Sequence, residues 1–422
     1  MRMGETLTQK IIARALGKEN VAVGEVWLLE PDIMLIYDWP ALSDWYAETM
    51  EKELGLERVP FPDRVIMFLD HMLPVQSQWQ ADFHQQTREW CEKQGIVYYE
   101  GRGIGHSVVV EEGLIKPGML AAHFDTHVST IGAVGALGFG LMKEMLMPLA
   151  TGKMWLQVPP VIRVNLEGAF KPGVSGRDLL HRLVADFGPD WGNGKVIEFG
   201  GSGAKNVSID SRMAICDLIN YVGAITAMFI PDETTGDYLA ERALKQTFVT
   251  PDDDAEYTLT VTYDLSGIEP TVVVPPSIAN AKAVDEVIGT KIDLGIIGTC
   301  AAGRVEDLAA AAKILAGRKI KSGFKLFVVP SSEKSFLQAL EKGYINTLVE
   351  AGAFLSSPTC DFCYAKAVYL SEGQRAISTQ TLNVPGRLGN MQGEIYLASA
   401  EMVAAAAVNG RIEDPRPYWT RE

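Results

Sequence analysis

Cysteine is scarce here: five residues in a chain of 422, an odd number. The opening stretch MRMGETLTQKIIARALGKENV reads as an amphipathic helix and holds no apolar core of a secretion signal. Together these exclude a disulfide framework and point to a reducing cytoplasm. Long hydrophobic runs are missing too. The longest, GAVGALGFGLMKEMLMPLA (132–150), is broken by Lys143, Glu144 and Pro148, so no membrane span is expected. Positive charge is in deficit. Lys and Arg total 38 against 53 Asp and Glu, a net charge of −15, which works against binding nucleic-acid backbones or anionic lipid. No repeat of solenoid length and no low-complexity tract occurs.

What is present is the balance of a globular protein, 47% hydrophobic and 22% charged. The length predicts two or three domains. Helical and strand patterns alternate, which implies α/β layering. VIMFL (65–69), VIRVNLEG (161–168), KVIEFGG (195–201), DLGIIG (293–298) and KLFVVP (325–330) read as strands. Residues 5–17, 77–95 and 176–188 read as helices, the first opened by Thr6 or Thr8 and the second stopped by Gly95. Residues 250–285, rich in acids and prolines, read as a seam between α/β runs. The expected units are 1–160, 161–284 and 285–422.

Three cysteines stand in chemically suggestive settings. Cys300, in IIGTCAAGRVEDL, follows an apolar strand and precedes a helix whose first N–H groups would favour a thiolate. Cys360 and Cys363 form a C-x-x-C pair in SSPTCDFCYAK, followed by a helical pattern. The pair alone fits zinc, a redox dithiol or coincidence, and Cys300 alone fits packing; with no second C-x-x-C, a four-cysteine zinc site is not expected. Of six histidines, His71 (FLDHMLP), His106 (GIGHSV) and His127 (HFDTHVST) lie at strand ends or in glycine-rich turns, two with an Asp close by in sequence, an arrangement suited to proton transfer. His84 and His181 fall on helices, where a structural role is the ordinary one, and His123 carries no separate argument.

The chain resembles the aconitase superfamily, in particular free-standing large subunits of the 3-isopropylmalate dehydratase type. The resemblance runs from GETLTQKIIARALGK through DHMLP, GIGHSVVVEEGLIKPG, DTHVSTIGAVGALGFG, TGKMWLQVPPVIRV, PDETTGDYL and GTCAAGR to the C-x-x-C pair, VPGR and EIYLASAEMVAAAAVNGRIEDPR. It implies three α/β domains around a central cleft, with Cys300, Cys360 and Cys363 holding a [4Fe-4S] cluster whose fourth iron is open to substrate. By the same resemblance, Asp70 and His71 protonate a leaving hydroxyl, His106 and Asp125 form a second acid–base pair, and His127 is a third active-site histidine. Thr126 stands where a serine touches substrate, and Arg387 is positioned to hold a substrate carboxylate.

Several positions depart from the family pattern. Asp217 and Tyr221 occupy the Asn and Glu places of a segment whose Glu partners the third histidine. Thr381 replaces an Asn near the cluster, and Leu382 replaces an Arg that binds substrate carboxylate. Losing a buried Arg–carboxylate contact costs roughly 2–5 kcal/mol, enough to change the substrate. The implied activity is therefore a hydro-lyase on a small hydroxy acid other than citrate or 3-isopropylmalate. Other readings are a related elimination or hydrolysis on another small polar molecule, or an iron–sulfur sensor. The family's swivelling fourth domain finds no counterpart after Arg411, so a separate small subunit is expected to supply it.

Overall fold

The computed structural model describes residues 4–38, 48–244 and 247–419. Three mainly parallel sheets follow one another along the chain, with helices packed on them. The first has the spatial order Val97–Glu100, Val65–Leu69, Ile33–Tyr37, Leu120–His123, Leu137–Gly140, all parallel. The second has the order Thr226–Phe229, Val196–Gly200, Val161–Glu167, Leu259–Asp264, also all parallel. In the third, five parallel strands, Glu394–Leu397, Arg375–Ser378, Leu294–Gly298, Lys325–Val329 and Phe354–Leu355, are extended antiparallel by Thr271–Val273 and Ala281–Ala283.

The central strands are covered on both faces, which is why IMLIY, VIMFL and LGIIG are continuous apolar runs rather than alternating ones. Helix ends follow local chemistry. Leu7–Leu16 opens on a capping box of Thr6 with Gln9 and closes on Gly17 in the left-handed region. Gln78–Gln94 opens on Ser77 and closes on Gly95, also left-handed. The sequence expectation puts the passage between the second and third units at 284–285. We propose to place it between Asp264 and Thr271, because Thr271–Val273 and Ala281–Ala283 already hydrogen-bond into the third sheet. One expectation fails. The pattern past Cys363 is not a helix: the single 3-10 turn Asp361–Cys363 is followed by turns over 364–367. The helix expected after Cys300 is present and starts at Val305.

The units are joined by buried polar contacts. Glu198, on the second sheet and fully buried, accepts from the N–H groups of Leu7 and Thr8, the Thr8 hydroxyl and the Tyr257 hydroxyl. It thereby places a carboxylate at the N-terminus of the first helix, where the macrodipole favours it. Gly132 sits where a Cβ would lie 1.8 Å from the Ala227 carbonyl oxygen, so only glycine lets the Thr126–Val134 segment meet the second sheet. Among the described residues no helix is long and apolar enough to cross a membrane. Glu198→Ala is expected to lower unfolding free energy by about 3 kcal/mol or more, since several buried donors lose their acceptor. Urea denaturation checks this, and a loss under about 1 kcal/mol would show that the joint is not structural.

Candidate active site

The carboxyl edges of parallel sheets gather functional groups because every strand there ends in a loop. In the first sheet, Asp38 follows Ile33–Tyr37, Asp70 and His71 follow Val65–Leu69, and Asp125–His127 follow Leu120–His123. His106 sits on the short helix Gly105–Glu111, reached from Val97–Glu100. In the third sheet, Cys300 follows Leu294–Gly298, Cys360 and Cys363 follow Phe354–Leu355, and Thr381 to Arg387 follow Arg375–Ser378. The two edges are joined by backbone bonds: Cys360 N–H donates to Asp70 O (3.0 Å), Ile104 N–H to Ser331 O (3.0 Å), and Glu333 N–H to Arg102 O (2.9 Å).

The cysteines and histidines meet across this joint. Ligand atoms of Cys300, His106 and Asp217 all lie within 4.8 Å of one another. Cys360 shares a hydrogen bond with the His71 side chain. None of the three cysteines is in a disulfide. Burial pushes the Cys300 thiol well above its ordinary pKa, and charge on Asp217, Cys363 and Cys360 adds to that, so the three sulfurs feel one another. Cys360 is raised to about 12, chiefly by burial. Burial acts on Cys363 in the same sense, but Arg387 and Thr381 outweigh it and lower its pKa. Arg387 Nη2 and Thr381 Oγ1 each lie 3.2 Å from that sulfur.

His71, His106 and His127 each stand against an acid. His71 Nδ1 is 2.7 Å from Asp70 Oδ1 and 3.3 Å from Asp38 Oδ1. Burial works against charge on His71, yet Asp70 and Cys360 hold its pKa well above the ordinary value. His127 Nδ1 is 2.9 Å from Asp125 Oδ1, which also accepts from His127 N–H (2.8 Å). Against the effect of burial, Asp125 and Asp217 push His127 up to about 10. Burial lowers His106 and takes His123 down to about 3. Two imidazoles thus favour the charged form and two the neutral form, as acid–base assignments require.

This pairing corrects two expectations. Asp125 is bound to His127, two residues on in the same turn; the carboxylate next to His106 is Asp217, 3.5 Å away and itself accepting from Thr130 Oγ1 at 2.8 Å. Tyr221 is not the partner of His127. It is fully buried, stacks on His181 (6.2 Å between centroids), and gives its hydroxyl proton to the Thr381 carbonyl. Buried Arg177 holds the carbonyls of Thr379 and Gln380, and the Gln380 side chain donates to the Leu382 carbonyl at 2.9 Å. The 379–382 backbone is thus held from behind while Leu382 stays half-buried and Thr126 exposed. Arg387 points its guanidinium at Cys363 rather than standing free.

Sequence reading missed Asp38, His84 and Asp361. Asp38 ends the apolar strand in IMLIYD just as Asp70 ends VIMFLD, a signal that was available. His84 shares the buried helix face of Phe83, Thr87 and Cys91. Asp361 lies between the paired cysteines and caps Met72 N–H (2.9 Å) and Leu73 N–H (3.1 Å), fixing the loop after His71.

The residues fit a thiolate-held cluster. Three uncrosslinked cysteines converge, one with its sulfur in hydrogen bonds suited to the thiolate, and His127 Nε2 and Asp217 Oδ2 are buried without a hydrogen-bond partner in the protein. The sequence profile of the aconitase family (aconitate hydratase) matches residues 56–410. The large subunit 1 of 3-isopropylmalate dehydratase from Methanopyrus kandleri is 36% identical over 421 residues, covering 99% of this chain and 100% of that one. The large subunit 2 from Rubrobacter xylanophilus is 38% identical over 418 residues, 98% of each chain. In fold, the chain is similar to the crystal structure of Thermococcus kodakaraensis aconitase X (holo-form), with TM-score 0.50 and 14% identity over 99% of this chain and 96% of that one.

Tyr221→Phe is expected to lose about 1–3 kcal/mol of stability with turnover within about tenfold of the parent. A fall beyond about 100-fold at unchanged fold would return this hydroxyl to the reacting groups.

Proposed function

This chain belongs to the aconitase family and is a hydro-lyase catalytic subunit of that type; from that premise we propose that it removes water reversibly from a small hydroxy acid that is neither citrate nor 3-isopropylmalate. The observation that carries this reading is the meeting of thiols from the third unit with imidazoles from the first: Cys300 within 4.8 Å of His106 and Asp217, and Cys360 bonded to His71. Cys300, Cys360 and Cys363 would hold a [4Fe-4S] cluster, which when bound supplies Lewis acidity that eases loss of a hydroxyl group.

The chain's own groups do the rest. His71, its Nδ1 held by Asp70 and Asp38 and its ring beside Cys360, delivers a proton to the departing hydroxyl. His127, kept cationic by Asp125, and the Arg387 guanidinium attract substrate carboxylate. His106, kept neutral by burial beside Asp217, serves as a proton acceptor next to Cys300. Thr126, exposed between Asp125 and His127, offers a hydroxyl to substrate. Leu382 presents an alkyl group where a carboxylate-binding arginine would stand in relatives, so the substrate carries an apolar substituent there, or one carboxylate fewer. The base that removes the proton alpha to the carboxylate comes from a small subunit. That partnership is supported by relatives named as large subunits whose full length matches this chain.

Anaerobic co-purification with the small subunit, followed by iron and sulfide assay, is expected to give about four of each per chain. The loaded complex should dehydrate at least one member of a panel of small hydroxy acids, read by the ultraviolet absorbance of the conjugated product. No turnover across the panel by a fully loaded complex would sink the proposed reaction. His71→Ala is expected to lower kcat by roughly 100-fold or more with the cluster retained. Cys300→Ala should lose the cluster itself. Leu382→Arg is expected to shift kcat/KM toward acids with one more carboxylate, by roughly tenfold or more.

A further inference from the structure

One buried carboxylate serves two imidazoles, and the second lies outside the reaction chemistry. Asp38 is fully buried. Its Oδ1 accepts from the N–H groups of Asp70 (3.1 Å) and His71 (3.2 Å) and lies 3.3 Å from His71 Nδ1. Its Oδ2 faces His84 Nε2 at 2.9 Å. His84 is 1% exposed, on the inward face of the helix Gln78–Gln94, where its neighbours along the face are Phe83, Thr87 and Cys91.

We propose that His84 is a positioning residue for His71, acting through Asp38. The inference rests on the role given to His71 above. Two carboxylates, Asp70 and Asp38, stand against the same nitrogen of His71. Like charges that close repel unless each has its own counter-group. Asp70 Oδ2 takes the N–H of Gly105 at 2.8 Å, at the start of the helix that carries His106. Among the described residues Asp38 Oδ2 has no backbone donor; the group that faces it is the His84 ring. With that N–H in place, the carboxylate stays ionised and fixed in plane, and Oδ1 remains aimed at the His71 ring and at the two peptide groups of the Asp70–His71 turn. Without it, a buried carboxylate oxygen is left unanswered, the group rotates or takes a proton, and the His71 ring loses its fixed orientation. The side chain of Gln can put an amide N–H where imidazole Nε2 stands, while that of Asn is too short and Leu has none.

The test compares His84→Gln, His84→Asn and His84→Leu in two readouts. The first uses the full chain with ¹⁵N-labelled histidine before cluster loading. Six histidines give a simple spectrum, and His71 is assigned by its loss in His71→Gln. Parent and H84Q are expected to show one sharp set of ring N–H signals for His71, and H84N and H84L averaged or broadened ones. The second uses the loaded complex. H84N and H84L should lose roughly 10–100-fold in kcat with KM within about threefold and iron content unchanged, and H84Q should stay within about threefold of parent. If H84L does not fold, the H84N and H84Q pair carries the comparison. Parent-like His71 signals and kcat in H84N would falsify the proposal, as would an H84Q enzyme no better than H84N. A parent complex inactive on every acid would overturn the proposed reaction instead, and the spectra would still decide the part played by His84.

Discussion

The backbone hydrogen bond from Cys360 N–H to the Asp70 carbonyl fixes how far apart sulfur and imidazole stand. Asp70 and His71 end a strand of the first sheet, and Cys360 follows an edge strand of the third. The pairings around it reinforce the same joint: Asp361 caps Met72 and Leu73, and Glu111, on the His106 helix, accepts from the hydroxyls of Ser331, Ser332 and Ser335. Parallel sheets leave their carboxyl edges open for such use. Here two edges are locked together, so chemistry distributed between distant segments of one chain is held without a flexible linker between its halves.

Charge is managed by the same economy. The site is mostly buried, so each ionisable group requires an answering one. Asp125 answers His127, Asp217 stands by His106, and Asp70 with Asp38 hold His71. The result is a set of imidazoles with opposed protonation preferences at short range, two charged and two neutral. The guanidinium of Arg387 lies on Cys363, the one of the three whose pKa is lowered.

Much of this was legible in the residues. The apolar runs named their strands because buried parallel strands are apolar on both faces, and Thr6, Ser77 and Gly95 bounded their helices through capping chemistry. The three cysteines and three histidines were found by residue type and setting. Which acid serves which histidine was not legible, because that depends on side-chain direction in turns: His127 folds back on Asp125, leaving His106 to Asp217 from a helix of the second unit. Tyr221 looked like a proton-transfer partner from its position in a motif, but its hydroxyl is spent on a carbonyl far along the chain. That Thr271–Val273 and Ala281–Ala283 pair into the third sheet was not legible, because short strands carry no sign of which sheet they join.

The strand-to-loop segment at 379–382 has its carbonyls gripped from the rear by Arg177, Tyr221 and Gln380. Its path is therefore dictated by groups that never meet a ligand. What projects from it toward the opening can be exchanged, a guanidinium for an alkyl group, without redrawing the main chain. Diversification of chemistry in such a scaffold needs no insertion and no refolding, only replacement of a tip on a fixed mount.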